Sequence, residues 1–350
     1  MADFAEYTQD EFECRYQKIK QIALEKKEAV AKPSAVLLGG QPGAGKSSMI
    51  KYFDNLFTKQ SAIVVSGDDF RKLHPHFNKL YAEYGDGYVN HTQKFSSQVT
   101  ERLIDELSRE KYNLIIEGTL RTSAVPLMTA ELLKSRGYHV ELAVMAVPPI
   151  LSYVGTIERY ERMKEIGTTP RMTTKMQHDN TVNSIVNSIR DVYATGVFDD
   201  ILLYTRKSEC LYCRKNTPEV NPGDILVREH GRNITSEESN YLDNVIEYIE
   251  KRWECNPDKS IDNEQLICEM RSQVAQAQFK AELCENGFRP TDEVMTCMNT
   301  LVQNTGRLWK LEEIAEAYKS GEEVDYEIKN IGRQLENQQV IRDMEIQPEL

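Results

Sequence analysis

The chain has 350 residues, with 43 Lys and Arg against 55 Asp and Glu, for a formal net charge of -12. That length supports a full hydrophobic core and a second small one, and the acidic balance argues against a dedicated nucleic-acid binder, leaving room only for a local basic groove. No apolar run approaches the ~20 residues that span a bilayer, and the acidic start Met1-Ala2-Asp3-Phe4-Ala5-Glu6 has no apolar h-region, so a soluble, cytoplasmic protein is expected.

Thr8-Gln9-Asp10-Glu11 is a capping box. It predicts an amphipathic helix over residues 8–30, with Phe12, Tyr16, Ile19 and Ile22 on one face, inside an N-terminal extension 1–32. Ala35–Leu38 is an apolar run of strand length. It leads into Gly40-Gln41-Pro42-Gly43-Ala44-Gly45-Lys46-Ser47, followed by Ser48, which fits the phosphate-binding pattern G-x-x-x-x-G-K-[ST]. Met49, Ile50, Phe53, Leu56 and Phe57 then recur at helical spacing. A strand, this loop and a helix N-terminus form a nest of N–H groups for phosphates. Lys46 would reach the β/γ-phosphates of a nucleoside triphosphate, and the Ser47 hydroxyl would sit on Mg²⁺.

Four further strands are expected at 62–65, 114–116, 140–147 and 201–204, with helices at 47–57, 93–110, 125–136 and 152–164 between them. Alternation of this kind implies βαβ units and a parallel sheet, with ligands beyond the carboxyl ends of its strands. The kinase-like α/β domain is placed at 33–250. After about residue 255 the pattern is helical, near 262–286, 291–303, 309–319 and 324–338. Residues 256–350 hold 19 acidic and 10 basic residues, so most of the net negative charge lies there. The seven cysteines include one C-x-x-C pair, Cys210 and Cys213. A second pair or a His pair is missing, so reduced bystanders are expected rather than a zinc ribbon.

The second strand runs into Ser66-Gly67-Asp68-Asp69-Phe70-Arg71, then His74-Pro75. One of the two aspartates is placed to act as base on an acceptor hydroxyl, and the other to cap the next helix. His74 reads as a turn residue. The third strand ends in Glu117-Gly118-Thr119-Leu120-Arg121. Glu117 reads as a Mg²⁺-shell residue, an acceptor of substrate hydroxyls or a helix cap. Glu101, opposite Val99, Leu103 and Leu107, reads from spacing alone as solvated. Arg159 and Arg171 follow the fourth strand, where small-molecule kinases insert arginines against the charge of transfer, an effect worth ~10³–10⁵ in rate.

Together these stretches resemble the zeta toxin family, kinases of bacterial toxin–antitoxin systems. The resemblance runs over roughly residues 5–245. It rests on Leu38–Gly43, Asp68-Asp69-Phe70 with His74-Pro75, Tyr112–Thr119, Val144–Pro148, Gly155–Glu161 and Gln177-His178-Asp179. It implies a P-loop kinase-like, three-layer α/β fold with a mostly parallel sheet, to which an all-α C-terminal appendage is added. It also implies an ATP- and Mg²⁺-dependent kinase that phosphorylates the 3′-hydroxyl of the GlcNAc unit of UDP-N-acetylglucosamine and so poisons cell-wall synthesis. By motif, Asp68 is then the base. Lys46, Arg159 and Arg171 are the phosphate and transition-state clamps. Glu101, Glu117, Thr119, Arg121 and Thr129 contact the nucleotide sugar. Leu120 stands where a small residue is common, which puts the pocket floor in question, and the stretch around Gly167–Thr174 is divergent.

Family antitoxins are small helical proteins that block the nucleotide site. The expected partner is therefore an antitoxin in trans, with the acidic C-terminal region in cis as another reading. Asp68-Asp69-Phe70-Arg71 also resembles the acceptor loop of polynucleotide kinases. The overall acidity and the Glu101, Glu117 and Thr119 set weigh against that reading. A non-catalytic nucleotide-binding module would be expected to lack Lys46, Asp68 or the arginines, and all are present.

Overall fold

The computed structural model of the chain describes residues 4–57, 61–255, 261–320 and 325–346. These form two compact units that divide at Gly231 and Arg232. The boundary therefore falls before the helix at 236–254, which the sequence pattern groups with the kinase-like domain.

In the first unit α1 (Gln9–Leu24) opens on the expected capping box: Thr8 Oγ1 accepts from the Glu11 N–H at 3.2 Å, and the Thr8 N–H donates to Glu11 Oε2 at 2.8 Å. Phe12, Tyr16 and Ile19 are buried in the main core, so this segment is part of the domain. The helix stops well short of residue 30, and Ile22 is 70 % exposed. Lys26 takes a positive φ of 60°, which turns the chain so that the Val30 N–H reaches the Lys111 carbonyl.

The other elements follow in order. They are β1 (Ser34–Gly39), α2 (Lys46–Leu56), β2 (Ile63–Ser66), α3 (Gly67–Phe70), α4 (Phe77–Tyr84), α5 (Tyr88–His91) and α6 (Gln93–Arg109). Then come β3 (Leu114–Glu117), α7 (Ala124–Ser135), β4 (His139–Met145), α8 (Pro149–Glu165), α9 (Lys175–Thr195), β5 (Asp200–Tyr204), β6 (Cys210–Cys213) and α10 (Pro222–Gly231). The sheet order is β2-β3-β1-β4-β5-β6. All neighbours pair parallel except β5 and β6.

Side chains alternate across the strands. Ala35, Leu37, Ile63, Val65, Leu114, Ile116, Val140, Leu142, Ile201 and Leu203 join the core formed with α1, α6, α7, α9 and α10. On the other face Phe53 of α2 packs edge-on against Tyr204, with ring centroids 5.8 Å apart. The sheet is thus covered on both sides, as buried parallel strands require, and the fold is the expected three-layer α/β architecture.

Strand β6 and helix α9 were not expected from the pattern. Cys210 and Cys213 lie on β6 as free thiols, and Cys213 Sγ donates to Asp200 Oδ2 at 3.3 Å. Leu120 is buried with a positive φ of 54°, and a Cβ added to Gly39 would stand 3.1 Å from the Leu120 Cβ. The bulk at this position therefore fills the core over a glycine.

The second unit comprises α11 (Ser236–Glu254), α12 (Ile261–Glu285), α13 (Asp292–Thr305), α14 (Leu311–Ser320) and α15 (Tyr326–Ile346). Phe279, Leu283, Val294, Met298, Leu301, Ile314, Ile328 and Ile331 form its core. Among the described residues it contains no strand. Also among the described residues, no helix is long and apolar enough to cross a membrane.

Candidate active site

The site is built at the carboxyl ends of β1, β2 and β3. Strand β1 delivers the P-loop to the N-terminus of α2. Lys46 folds back over its own loop, and Nζ donates to the Gly40 carbonyl at 3.0 Å and the Gln41 carbonyl at 3.4 Å. Burial pushes the Lys46 ammonium down from its ordinary range, while Glu117 and Asp68 pull the other way. Ser47 and Ser48 are exposed in the first turn of α2. Gln41 is fully buried, and its amide donates to the Val147 carbonyl at 2.8 Å and to Ser152 Oγ at 3.3 Å.

Behind the loop, Ser152 Oγ lies 2.8 Å from His178 Nε2, and His178 Nδ1 lies 2.9 Å from Asp179 Oδ1. The Gln177-His178-Asp179 block thus braces the P-loop from α9 through Ser152 of α8. Arg206, just past β5, donates through Nη2 to the Gly43 carbonyl at 2.9 Å. No local pattern marks Arg206, because the loop it serves lies on the far side of the sequence.

Strand β2 ends beside β3 in register, Ser66 opposite Glu117, and Ser66 Oγ donates to Glu117 Oε2 at 2.7 Å. Glu117 is therefore held by the neighbouring strand and does not cap α7, whose N-cap Ser123 makes no side-chain cap bond. Asp68 and Asp69 both lie in the first turn of α3, where the N-cap Ser66 likewise makes no such bond, so neither aspartate acts as a cap. Asp68 is held at both oxygens. Arg71 Nε donates to Oδ1 at 3.0 Å, and Arg171 Nη1 stands against Oδ2. Burial works against the Asp68 charge, but Arg171, Arg71 and Arg159 outweigh it and hold the carboxyl below the usual carboxylate range. Asp69 moves the opposite way, raised by burial and by Glu117.

Arg159 Nη2 donates to Thr173 Oγ1 at 3.2 Å. Its Nε is a buried donor with no hydrogen-bond partner among the described residues, whereas Arg171 Nη1 is engaged in the ion pair with Asp68. The fully buried Tyr88 hydroxyl is a second such group, and its pKa is raised by burial beside Arg171, Arg71 and Asp68. Unsatisfied buried donors converging on one place call for an anion with several oxygens.

The structure therefore brings Lys46, Asp68, Asp69, Glu117, Arg159 and Arg171 into one electrostatic cluster and adds Arg71 and Tyr88, which local pattern did not single out. Glu101 lies one residue past Thr100 on the face of α6 that approaches Gly67, and it is exposed. Thr119 and Arg121 are exposed on the loop after β3, where the Gly118 N–H donates to the Leu38 carbonyl at 2.8 Å. Thr129 lies on α7, with its hydroxyl bonded back to the Val125 carbonyl at 3.0 Å. Among the described residues, no hydrogen bond or ion pair joins these four to the cluster. His74 is buried, bonded to the His76 N–H through Nδ1 at 3.1 Å and packed edge-on against Tyr7 and Phe95. It staples the N-terminal segment.

The family model for zeta toxin matches residues 19–217, the greater part of the chain. The chain belongs to the zeta toxin family. It is 39% identical over 258 residues to toxin zeta of Streptococcus pyogenes, covering 73% of this chain and 88% of that protein. It is 42% identical over 228 residues to toxin zeta of Enterococcus hirae, covering 65% and 78%. Toxin PezT of Streptococcus pneumoniae is 39% identical over 225 residues, covering 64% and 88%. Among solved structures, a chain of the PezAT chromosomal toxin–antitoxin system of Streptococcus pneumoniae superposes with a TM-score of 0.63 and 34% identity. That match covers 73% of this zeta-family chain and 98% of the other. The family model ends inside the first compact unit, so the helical unit from Arg232 onward lies beyond it.

Proposed function

We propose that the chain is an ATP- and Mg²⁺-dependent kinase that phosphorylates the 3′-hydroxyl of the GlcNAc unit of UDP-N-acetylglucosamine. In the cytoplasm it acts as the toxin of a toxin–antitoxin pair. The observation that carries this reading is the Asp68 carboxylate at the end of β2, flanked by Arg171 and set in the field of Lys46 and Arg159, the latter with a buried Nε that has no hydrogen-bond partner among the described residues.

The chemistry follows from charge and reach. Lys46 and the P-loop N–H groups cradle the β- and γ-phosphates. Arg159 and Arg171 neutralise charge on the transferring phosphoryl group. The exposed Ser47 hydroxyl is an oxygen donor of the kind Mg²⁺ accepts. The metal would neutralise charge across the β- and γ-oxygens. Asp68 takes the proton of the attacking sugar hydroxyl. The new O–P bond forms as the bond from the γ-phosphorus to the β–γ bridging oxygen breaks. ADP leaves with that oxygen. Glu101, Glu117, Thr119 and Arg121, with Thr129, are proposed to bind the nucleotide sugar, since carboxylates and hydroxyls accept from and donate to sugar hydroxyls.

An antitoxin that covers Lys46 and the arginines is the proposed partner. The acidic helical unit is proposed to serve docking, with self-inhibition as its other use. The test is mass spectrometry after incubation with ATP and Mg²⁺, offering UDP-N-acetylglucosamine and a 5′-hydroxyl oligonucleotide together. A gain of one phosphoryl group on the nucleotide sugar supports the reading. A gain only on the oligonucleotide replaces it with a polynucleotide kinase.

A further inference from the structure

The two arginines on Asp68 are not equivalent. Arg71 is buried, and every arm of its guanidinium is held. Nη1 donates to the Val89 carbonyl at 2.6 Å and to Thr92 Oγ1 at 3.4 Å, and Nη2 donates to Gln93 Oε1 at 2.6 Å. The holders are themselves fixed. Thr92 Oγ1 donates to the Tyr88 carbonyl at 3.0 Å, and Gln93 Nε2 donates to Ser97 Oγ at 2.9 Å. Arg71 Nε is left with one use, Asp68 Oδ1 at 3.0 Å. Arg171 by contrast lies in the stretch between α8 and α9, is more exposed, and meets Oδ2 through Nη1 in an ion pair.

We propose that Arg71 is a positioning residue that permanently holds Asp68 Oδ1, and that Arg171 leaves Oδ2 for the γ-phosphate when nucleotide binds, so that Oδ2 is the atom that accepts the acceptor's proton. This rests on the phosphotransfer reading above. A planar guanidinium with a filled fork is rigid, so it fixes both the carboxylate plane and the direction of the remaining oxygen. Each carboxylate oxygen of Asp68 has a cationic partner, Arg71 on Oδ1 and Arg171 on Oδ2. With nucleotide Arg171 exchanges Oδ2 for phosphate oxygens, and Oδ2 is freed beside the reacting phosphorus. Charge supports the same division. The groups facing Asp68 are Arg71, Arg171, Arg159 and Lys46 on the positive side, with Asp69 and the Tyr88 phenol opposing. Once Arg171 has turned to phosphate, Arg71 is the remaining cation bonded to the carboxylate.

The test is a pH–rate profile of Arg71→Gln, Arg71→Lys and the wild-type enzyme, with thermal unfolding of each. The assay follows whichever hydroxyl the wild type phosphorylates, water included. A wrong acceptor assignment then shows in the wild type alone. Arg71→Gln is expected to lower kcat on the order of 10²-fold, as misplacement of a base does, with KM for nucleotide nearly unchanged. Its acidic limb is expected to rise by about one pH unit, since a carboxylate that loses a cationic partner is harder to ionise. Arg71→Lys keeps charge without the fork and should return the limb while leaving kcat low. An Arg71→Gln enzyme that melts earlier but keeps the wild-type kcat and limb would make Arg71 merely structural and overturn the proposal. Should Arg71→Gln fail to fold, Gln93→Leu reads the same point from outside the site. A several-fold fall in kcat with a raised limb supports the proposal, and an unmoved limb overturns it.

Discussion

Gly43 of the P-loop lies directly against the backbone of Ser152 in α8, so that a Cβ on Gly43 would stand 2.0 Å from the Ser152 carbonyl oxygen and 2.8 Å from the Thr156 N–H nitrogen. The facing Gly155 is equally constrained, with a Cβ there 2.8 Å from the Gly43 carbonyl oxygen. Two glycines thus let the phosphate loop and α8 pack backbone to backbone. Helix α8 also carries Arg159, so this contact sets the distance between the P-loop and the arginine proposed to clamp its phosphate.

Gly43→Ala is therefore expected to cost about 2 kcal/mol or more, because overpacking adds to the strain of its positive φ of 75°. Nucleotide binding should be lost with it. Thermal unfolding with and without ATP–Mg²⁺ checks both. A variant that keeps the wild-type ligand shift would show that the loop tolerates the displacement.

Lys46→Ala and Asp68→Ala should each reduce phosphoryl transfer by about 10³-fold or more, since each removes a group proposed to act directly on the reacting atoms. They should differ in binding. Lys46→Ala weakens nucleotide affinity, whereas Asp68→Ala preserves it. Titration calorimetry alongside turnover separates the two, and near-normal turnover by Asp68→Ala would remove the base assignment.

Arg206→Ala takes away the donor to the Gly43 carbonyl without touching any reacting group. The expected result is a several-fold rise in KM for nucleotide with kcat reduced less, the pattern of a lost ground-state contact. Steady-state kinetics at varied ATP checks it. An unchanged KM would mean that α8 alone fixes the loop.

His230 gives the first unit a pH-dependent stability. Burial, aided by His178, pushes its pKa down to about 4. The unfolded imidazole titrates near 6.5, so the unfolded state binds the proton first, and stability is lost as pH falls from about 6.5 toward 4. Between pH 7 and pH 5 the loss from this group is about 2 kcal/mol. Urea unfolding at both pH values, for wild type and His230→Gln, should show a smaller difference in the variant. An equal difference would assign the effect to other groups.

The sequence made the P-loop, the strands whose ends carry the chemistry and the C-terminal helices legible, because each depends on residues close together in the chain. Asp68 and Glu117 could be found because they follow apolar strands. Arg71 was hidden because its holders, Val89 and Gln93, arrive 18 and 22 residues later on α5 and α6. Helix α9 escaped notice because Thr181 and Ser188 interrupt its buried stripe of Ile185, Ile189 and Val192. Strand β6 is four residues long and holds a single fully inward side chain, Tyr212, which is too little for a period to show. Ile22 fits the α1 pattern yet faces solvent, while Ala23 and Leu24 carry the helix's contact with the core past Ile19.

The central claim is that one site joins a triphosphate to a sugar hydroxyl through Asp68. Transfer of labelled γ-phosphate from ATP to UDP-N-acetylglucosamine, by the wild type and Asp68→Asn at equal concentration, tests it most directly. The account predicts stoichiometric label on the nucleotide sugar with the wild type and a rate lower by about 10³-fold with Asp68→Asn. Equal rates from the two enzymes, or no label on the sugar from a wild type that binds ATP, would contradict it.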